Sequence, residues 1–219
     1  MSPLTAGRQA IVAKALVVAL VVLVALAACG GRREAPLPAG ATVLVVGDSI
    51  TAGYGVGEAQ AWPARLAERT GWKVIAAGIN GDRTAGGRER LPALLDAHAP
   101  AAVVIELGGN DMLRGVADET IVANLDAMID AAAARGAKVV LMAAPRPSAL
   151  GALTRFTAAS FYRDLAQRRA VPLVERALPS VLSESSLRLD ALHPTAEGHR
   201  ALAERTAEEL AASGLVARR

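Results

Sequence analysis

Cysteine occurs once in the 219 residues, histidine three times, and aromatic residues make up 3% of the chain. A single cysteine cannot close an internal disulfide, so an oxidising compartment is tolerated without being exploited and stability must come from a packed core. His98, His193 and His199 are dispersed and Cys29 is remote from them, which leaves no ligand set for a metal; neither a metal nor another cofactor is expected. With so few aromatics and no basic run interleaved with them, nucleic acid is not an expected partner. No Gly-Lys pair precedes a Ser or Thr, so a Walker-type phosphate loop is excluded. The stretch GDSIT, residues 47–51, has Thr51 where a GxSxG nucleophile elbow needs its second glycine, which argues against the α/β-hydrolase fold. No internal repeat of solenoid period is present.

Long apolar runs are also missing, with one exception. Residues 15–28 are uninterruptedly apolar, which is short for a membrane-spanning helix and typical of the core of a secretory signal. Arg8 and Lys14 supply its positive flank, and the run ends in Leu26-Ala27-Ala28-Cys29. A cysteine directly after small residues resembles the lipobox of bacterial lipoproteins, in which that cysteine is acylated and becomes the first residue. The alternatives are an ordinary signal followed by a chance cysteine, or an uncleaved anchor. The expected organisation is a signal peptide over 1–28, lipidated Cys29 with a Gly- and Pro-containing tether over 29–40, and a folded domain over 41–219. The protein would then be exported, held to a membrane by its lipid, with the domain in the periplasm or at the cell surface. Removing 28 residues leaves 191, enough for one α/β domain, expected as a monomer. The net charge of +3 falls to about +1 as Arg8 and Lys14 leave, so the basic balance says little about partners.

After residue 40, short β-branched runs alternate with longer amphipathic segments. Strands are predicted over 42–46, 73–76, 102–107, 138–142 and, weakly, 171–174; helices are predicted over 62–69, 87–98, 118–135, 153–169 and 195–213. Runs apolar on both faces, each followed by a helix, imply a parallel sheet covered on two sides. The predicted fold is a three-layer α/β/α sandwich with a flavodoxin-like, five-stranded parallel sheet of order 2-1-3-4-5. Ligands in such sheets sit beyond the C-terminal strand ends, which singles out the loops 47–57, 78–86, 108–115 and 143–152.

Ser49 lies in the first of these loops, at the end of a central strand and just before a helix. A simple turn is one reading of VVGDSITAGYG; a nucleophile is the other, and it requires a base and donors for its intermediate. His98 ends a helix and reads as a surface residue, and His199 falls within the last helix, partly packed. His193 stands before Pro194 with Asp190 three residues upstream, a spacing that lets one turn aim the Asp carboxylate at the imidazole Nδ1. Taken alone, the same pair reads first as a cap on the last helix.

Four segments in order, GDSITAGYG, GINGDRT, ELGGNDMLRG and DALHP, resemble the four blocks of the SGNH, or GDSL, hydrolases. The similarity runs from about residue 42 to the last helix and is greatest to the branch of thioesterase, lysophospholipase and arylesterase enzymes. The resemblance implies Ser49 as nucleophile, His193 as general base and acid, and Asp190 as the group that orients His193. It implies an oxyanion hole made of the Ser49 N–H, the Gly81 N–H and the Asn110 side-chain amide. Glycine at 81 allows close backbone approach, and the Asn110 amide donates without charge. Asp48 and Asp111 read as loop-pinning residues that bond nearby backbone N–H groups. The implied function is hydrolysis of a small acyl ester or thioester; a carbohydrate O-acetylesterase and a catalytically silent ligand-binding lipoprotein are the alternatives.

Overall fold

A computed structural model describes residues 36–146 and 155–217. The predicted signal segment, Cys29, residues 147–152 of the fourth loop and the first two residues of the helix predicted over 153–169 lie outside the described residues. Five strands, β1 (Thr42–Gly47), β2 (Lys73–Gly78), β3 (Ala102–Glu106), β4 (Lys138–Met142) and β5 (Leu173–Val174), form one sheet of order β2-β1-β3-β4-β5. Every pairing is parallel, with Val43 opposite Val74 and Ala102, and Gly47 opposite Gly78 and Glu106. The predicted order is the observed one.

Period-2 alternation along the strands divides the interior into two cores. Leu44, Val46, Val103 and Ile105 face one way, onto α3 (Thr84–His98), α5 (Asp118–Ala133) and α6 (Ser160–Arg169). Val43, Val45, Val104 and Val140 face the other, onto α2 (Trp62–Thr70), α7 (Ala177–Ser183) and α8 (Ala196–Ser213). Leu91, Leu125 and Met128 fill the first core, and Trp62, Leu66 and Leu202 the second, all with no exposed surface. Two further helices, α1 (Ser49–Ala52) and α4 (Gly109–Leu113), sit at the C-terminal ends of β1 and β3. They are too short to show a helical period, so the sequence pattern does not reveal them; α7 escapes for the same reason.

The predicted helix over 153–169 starts later, at Ser160. Residues before it are pulled into extended backbone: Arg146 N–H donates to Thr157 O at 3.0 Å, Ala159 N–H to Ala144 O at 3.2 Å, and Pro145 bridges Ala158. Pairing with the end of the β4 segment satisfies these groups in place of a helical turn. At the other end of the sheet the chain is held from residue 37 onward, with Leu37 N–H on Leu215 O at 2.9 Å and Gly40 N–H on Gly71 O at 2.7 Å.

Candidate active site

Ser49 is the first residue of α1 and is 9% exposed. Asp48 caps that helix: its Oδ1 accepts from the Ile50 N–H at 3.0 Å. The cap fixes the turn that lifts Ser49 out of β1, and the N–H of Ser49, in the first turn, has no intrahelical acceptor. Its Oγ lies 3.0 Å from His193 Nε2.

His193 comes from a loop 144 residues away, between the 3₁₀ turn Ser185–Leu187 and α8. Asp190 shapes that loop. Its Oδ1 accepts from the Leu192 N–H at 2.7 Å and the His193 N–H at 2.8 Å, and its Oδ2 lies 2.9 Å from His193 Nδ1. An acceptor on Nδ1 holds the hydrogen there, so Nε2 presents its lone pair to Ser49. Partial burial works against the Asp190 charge, but the hydrogen bonds from the His193 ring and from the two backbone N–H groups outweigh it and hold the carboxyl below the ordinary range. The ring of Tyr54, which the sequence reading did not single out, lies against His193 with centroids 4.4 Å apart. The helix-cap reading of Asp190 does not hold: Thr195 caps α8, accepting from the Gly198 N–H at 3.1 Å.

Gly81 and Asn110 come to the same cleft from the ends of β2 and β3. Gly81 has φ +73°, in the left-handed region that favours glycine. The N–H groups of Ser49 and Gly81 donate to nothing among the described residues. Asn110 has its amide fixed from both sides: Nδ2 donates to Asp48 Oδ2 at 2.9 Å, and Oδ1 accepts from Arg114 Nη1 at 2.9 Å. One Nδ2 hydrogen is thus committed to Asp48, and the second is left for the cleft. Asp48 therefore does more than pin its loop. Asp111 behaves as expected, accepting from the Thr84 N–H at 2.9 Å and the Thr84 hydroxyl at 2.7 Å.

These residues open onto a cavity of about 420 Å³, within the usual range for small-ligand pockets. Leu113, Phe156, Leu178, Leu182 and Leu192 supply an apolar part of its lining. The other two histidines stand apart from it. His98 is exposed at the C-terminus of α3, as expected. His199 is wholly buried rather than partly packed, with Nδ1 accepting from the Trp62 N–H at 3.2 Å; burial pushes it down to about 4. Among the described residues no group of three His, Cys, Asp or Glu is placed to hold a metal, and no helix is long and apolar enough to cross a membrane.

A parallel sheet that carries Ser, His and Asp in file at its C-terminal edge, without a GxSxG elbow, defines a serine hydrolase distinct from the α/β-hydrolases. The chain belongs to the GDSL-like Lipase/Acylhydrolase family, which it matches over residues 45–201. Over 159 residues it is 41% identical to esterase TesA of Pseudomonas aeruginosa, covering 70% of this chain and 79% of that protein. It is 34% identical over 172 residues to thioesterase 1/protease 1/lysophospholipase L1 of Escherichia coli K12, covering 77% and 83% respectively. A crystal structure of TesA matches with a TM-score of 0.70 at 37% identity, over 78% of this chain and 99% of that one.

Proposed function

We propose that the protein hydrolyses small acyl esters or thioesters through an acyl-enzyme on Ser49. The observation that carries this reading is the file Ser49 Oγ, His193 ring and Asp190 carboxyl, with contacts of 3.0 and 2.9 Å, opening onto a cavity with a partly apolar lining. Ser49 Oγ attacks the carbonyl carbon as its proton passes to His193 Nε2, and Asp190 stabilises the imidazolium. The carbonyl oxygen gains negative charge, which the N–H groups of Ser49 and Gly81 and the free Nδ2 hydrogen of Asn110 receive. Collapse expels the alcohol or thiol, which takes the proton from His193. Water then attacks the acyl-enzyme by the same route, releasing the acid and regenerating Ser49.

The relatives named esterase and thioesterase support both kinds of bond. Export with a lipid anchor on Cys29 belongs to the same proposal, supported by Arg8, Lys14, the apolar run over 15–28 and the small residues before Cys29. Turnover of p-nitrophenyl acetate, p-nitrophenyl octanoate and an octanoyl thioester tests the reading. The octanoyl substrates are expected to react, and Ser49→Ala to lower kcat by about 10⁴-fold or more. Reaction of the acetate alone would favour a carbohydrate O-acetylesterase, and no reaction by folded protein a silent binding protein.

A further inference from the structure

Two carboxyl groups lie buried directly beneath the cleft, and the reaction described above uses neither as acid, base or nucleophile. Glu106, the last residue of β3, is 1% exposed, and Asp48, at the end of β1, is 4% exposed. No Lys or Arg side chain pairs with either among the described residues. Glu106 Oε2 accepts from the Thr51 hydroxyl at 2.8 Å and faces the Asp48 N–H at 3.4 Å. The two buried carboxyl groups are thus neighbours, and the charge of one bears on the other. The fit is close enough to require glycine at 47, where a Cβ would come 2.1 Å from Thr51 Oγ1 and 2.7 Å from Glu106 Oε2.

An ionised carboxylate only accepts, so a protonated carboxyl beside it is the one form of the pair that can also donate. Two bare anions side by side and out of water would repel without compensation, and the pair therefore carries one charge. The surroundings decide where that charge sits. Asp48 receives two N–H donors on separate oxygens, from Ile50 at 3.0 Å and Asn110 at 2.9 Å; Glu106 lies deeper and receives one hydroxyl and the longer N–H contact. Burial raises the Asp48 carboxyl to about 6, so above that pH Asp48 is the anion and Glu106 the acid.

We propose that Glu106 is a positioning residue for the oxyanion hole: by donating its carboxyl proton to Asp48 it holds that carboxylate as the acceptor for Asn110 and keeps the second Nδ2 hydrogen of Asn110 aimed at the cleft. This rests on the reading of Asn110 as an oxyanion donor. A neutral Glu106 also keeps a second negative charge away from the point where the substrate oxygen becomes negative. Burial and the neighbouring Asp48 charge both keep the Glu106 proton bound, which agrees with that assignment. The other titratable or charged groups around the pair are His193 beside Asp48, Tyr162 of α6, Asp111 of α4, and Arg90 of α3, whose Nη2 donates to Gly47 O at 3.0 Å.

The test compares Glu106→Gln with Glu106→Leu, using p-nitrophenyl butyrate from pH 5 to 10. Gln supplies a neutral donor that cannot titrate. It is expected to keep kcat within about threefold of wild type across that range. Leu is expected to lower kcat by about 10- to 100-fold while KM stays within about threefold, because the lost interaction bears on the transition state rather than on substrate binding. Wild-type kcat from Glu106→Leu would overturn the proposal, and so would a loss in Glu106→Gln as large as that in Glu106→Leu. If Leu fails to fold, Gln alone decides: kcat more than about tenfold below wild type with KM unchanged would overturn the assignment of Glu106 as a neutral donor. Hydrolysis independent of Ser49 in the wild-type protein would instead refute the functional reading, a result read from Ser49→Ala and separate from either Glu106 outcome.

Discussion

An aspartate in place of Asn110 is nearly isosteric yet reverses the chemistry of the side chain. The Asn110 amide now donates to Asp48 Oδ2 at 2.9 Å; Asn110→Asp would bring two carboxylates to that separation. At an effective dielectric of about 20, two unit charges so placed repel by roughly 6 kcal/mol, an upper bound that uptake of a proton relieves. Arg114, which donates to Asn110 Oδ1 at 2.9 Å, would pair with the new carboxylate, but it is exposed and the pair is screened. Catalysis has no such relief: the donor to the oxyanion is gone, at a cost of about 10²- to 10³-fold in kcat, and an anion faces the developing charge. Asn110→Ala should lose about 10²- to 10³-fold in kcat with KM within a few-fold, and its thermal midpoint should fall by a few degrees because Asp48 Oδ2 loses its donor. Asn110→Asp should be slower still and less stable. Its midpoint deficit should shrink on acidification, since a carboxyl whose pKa is raised in the folded state loses its stability contribution as pH rises. Steady-state kinetics and thermal melts of both variants at pH 5 and pH 8 measure this. Near-wild-type turnover and an unaltered midpoint in Asn110→Asp would show that Asn110 only holds its turn, and would remove it from the oxyanion hole.

Buried His199, pushed from 6.5 down to about 4, binds its proton less well folded than unfolded. Stability should therefore be lost as pH falls through that interval, by roughly 3 kcal/mol in full. Urea unfolding at pH 7 and 4.5 measures the slope, which His199→Asn should flatten; an identical slope in the variant would assign it elsewhere. Tyr162 donates its hydroxyl to Leu107 O at 2.7 Å within the core, so Tyr162→Phe should cost about 1–2 kcal/mol of unfolding free energy. No loss would mean that this carbonyl finds another donor. Cys29→Ser should release the protein from the membrane fraction of a bacterial host; continued pelleting would point to an uncleaved apolar segment.

The sheet was legible because β1 and β3 are apolar on both faces, as only a central parallel strand need be, and because the segments between them are long enough for right-handed crossovers. Ser49, Asp190 and His193 could be named in advance through the four ordered segments that resemble the SGNH hydrolases; the local spacing of Asp190 and His193 by itself left a helix cap open. The start of α6 was not legible: what stops the helix at Ser160 is hydrogen bonding to Ala144 and Arg146, distant in sequence. The support beneath Asn110 escaped for the same reason. Glu106 and Asp48 are 58 residues apart, and Arg114 meets Asn110 only because α4 turns there. One signal was present: a glutamate closing an otherwise apolar strand, AVVIE, is a buried acid that requires a partner.

The central claim is that Ser49, activated by His193, is the nucleophile. Incubation with a fluorophosphonate followed by intact mass and peptide mapping measures it directly, because the reagent forms a stable adduct only with an activated hydroxyl. One adduct per chain on Ser49, none in Ser49→Ala, and much slower modification in His193→Ala are the results the account predicts. Modification of Ser160 or another hydroxyl, or undiminished labelling of Ser49→Ala, would contradict it.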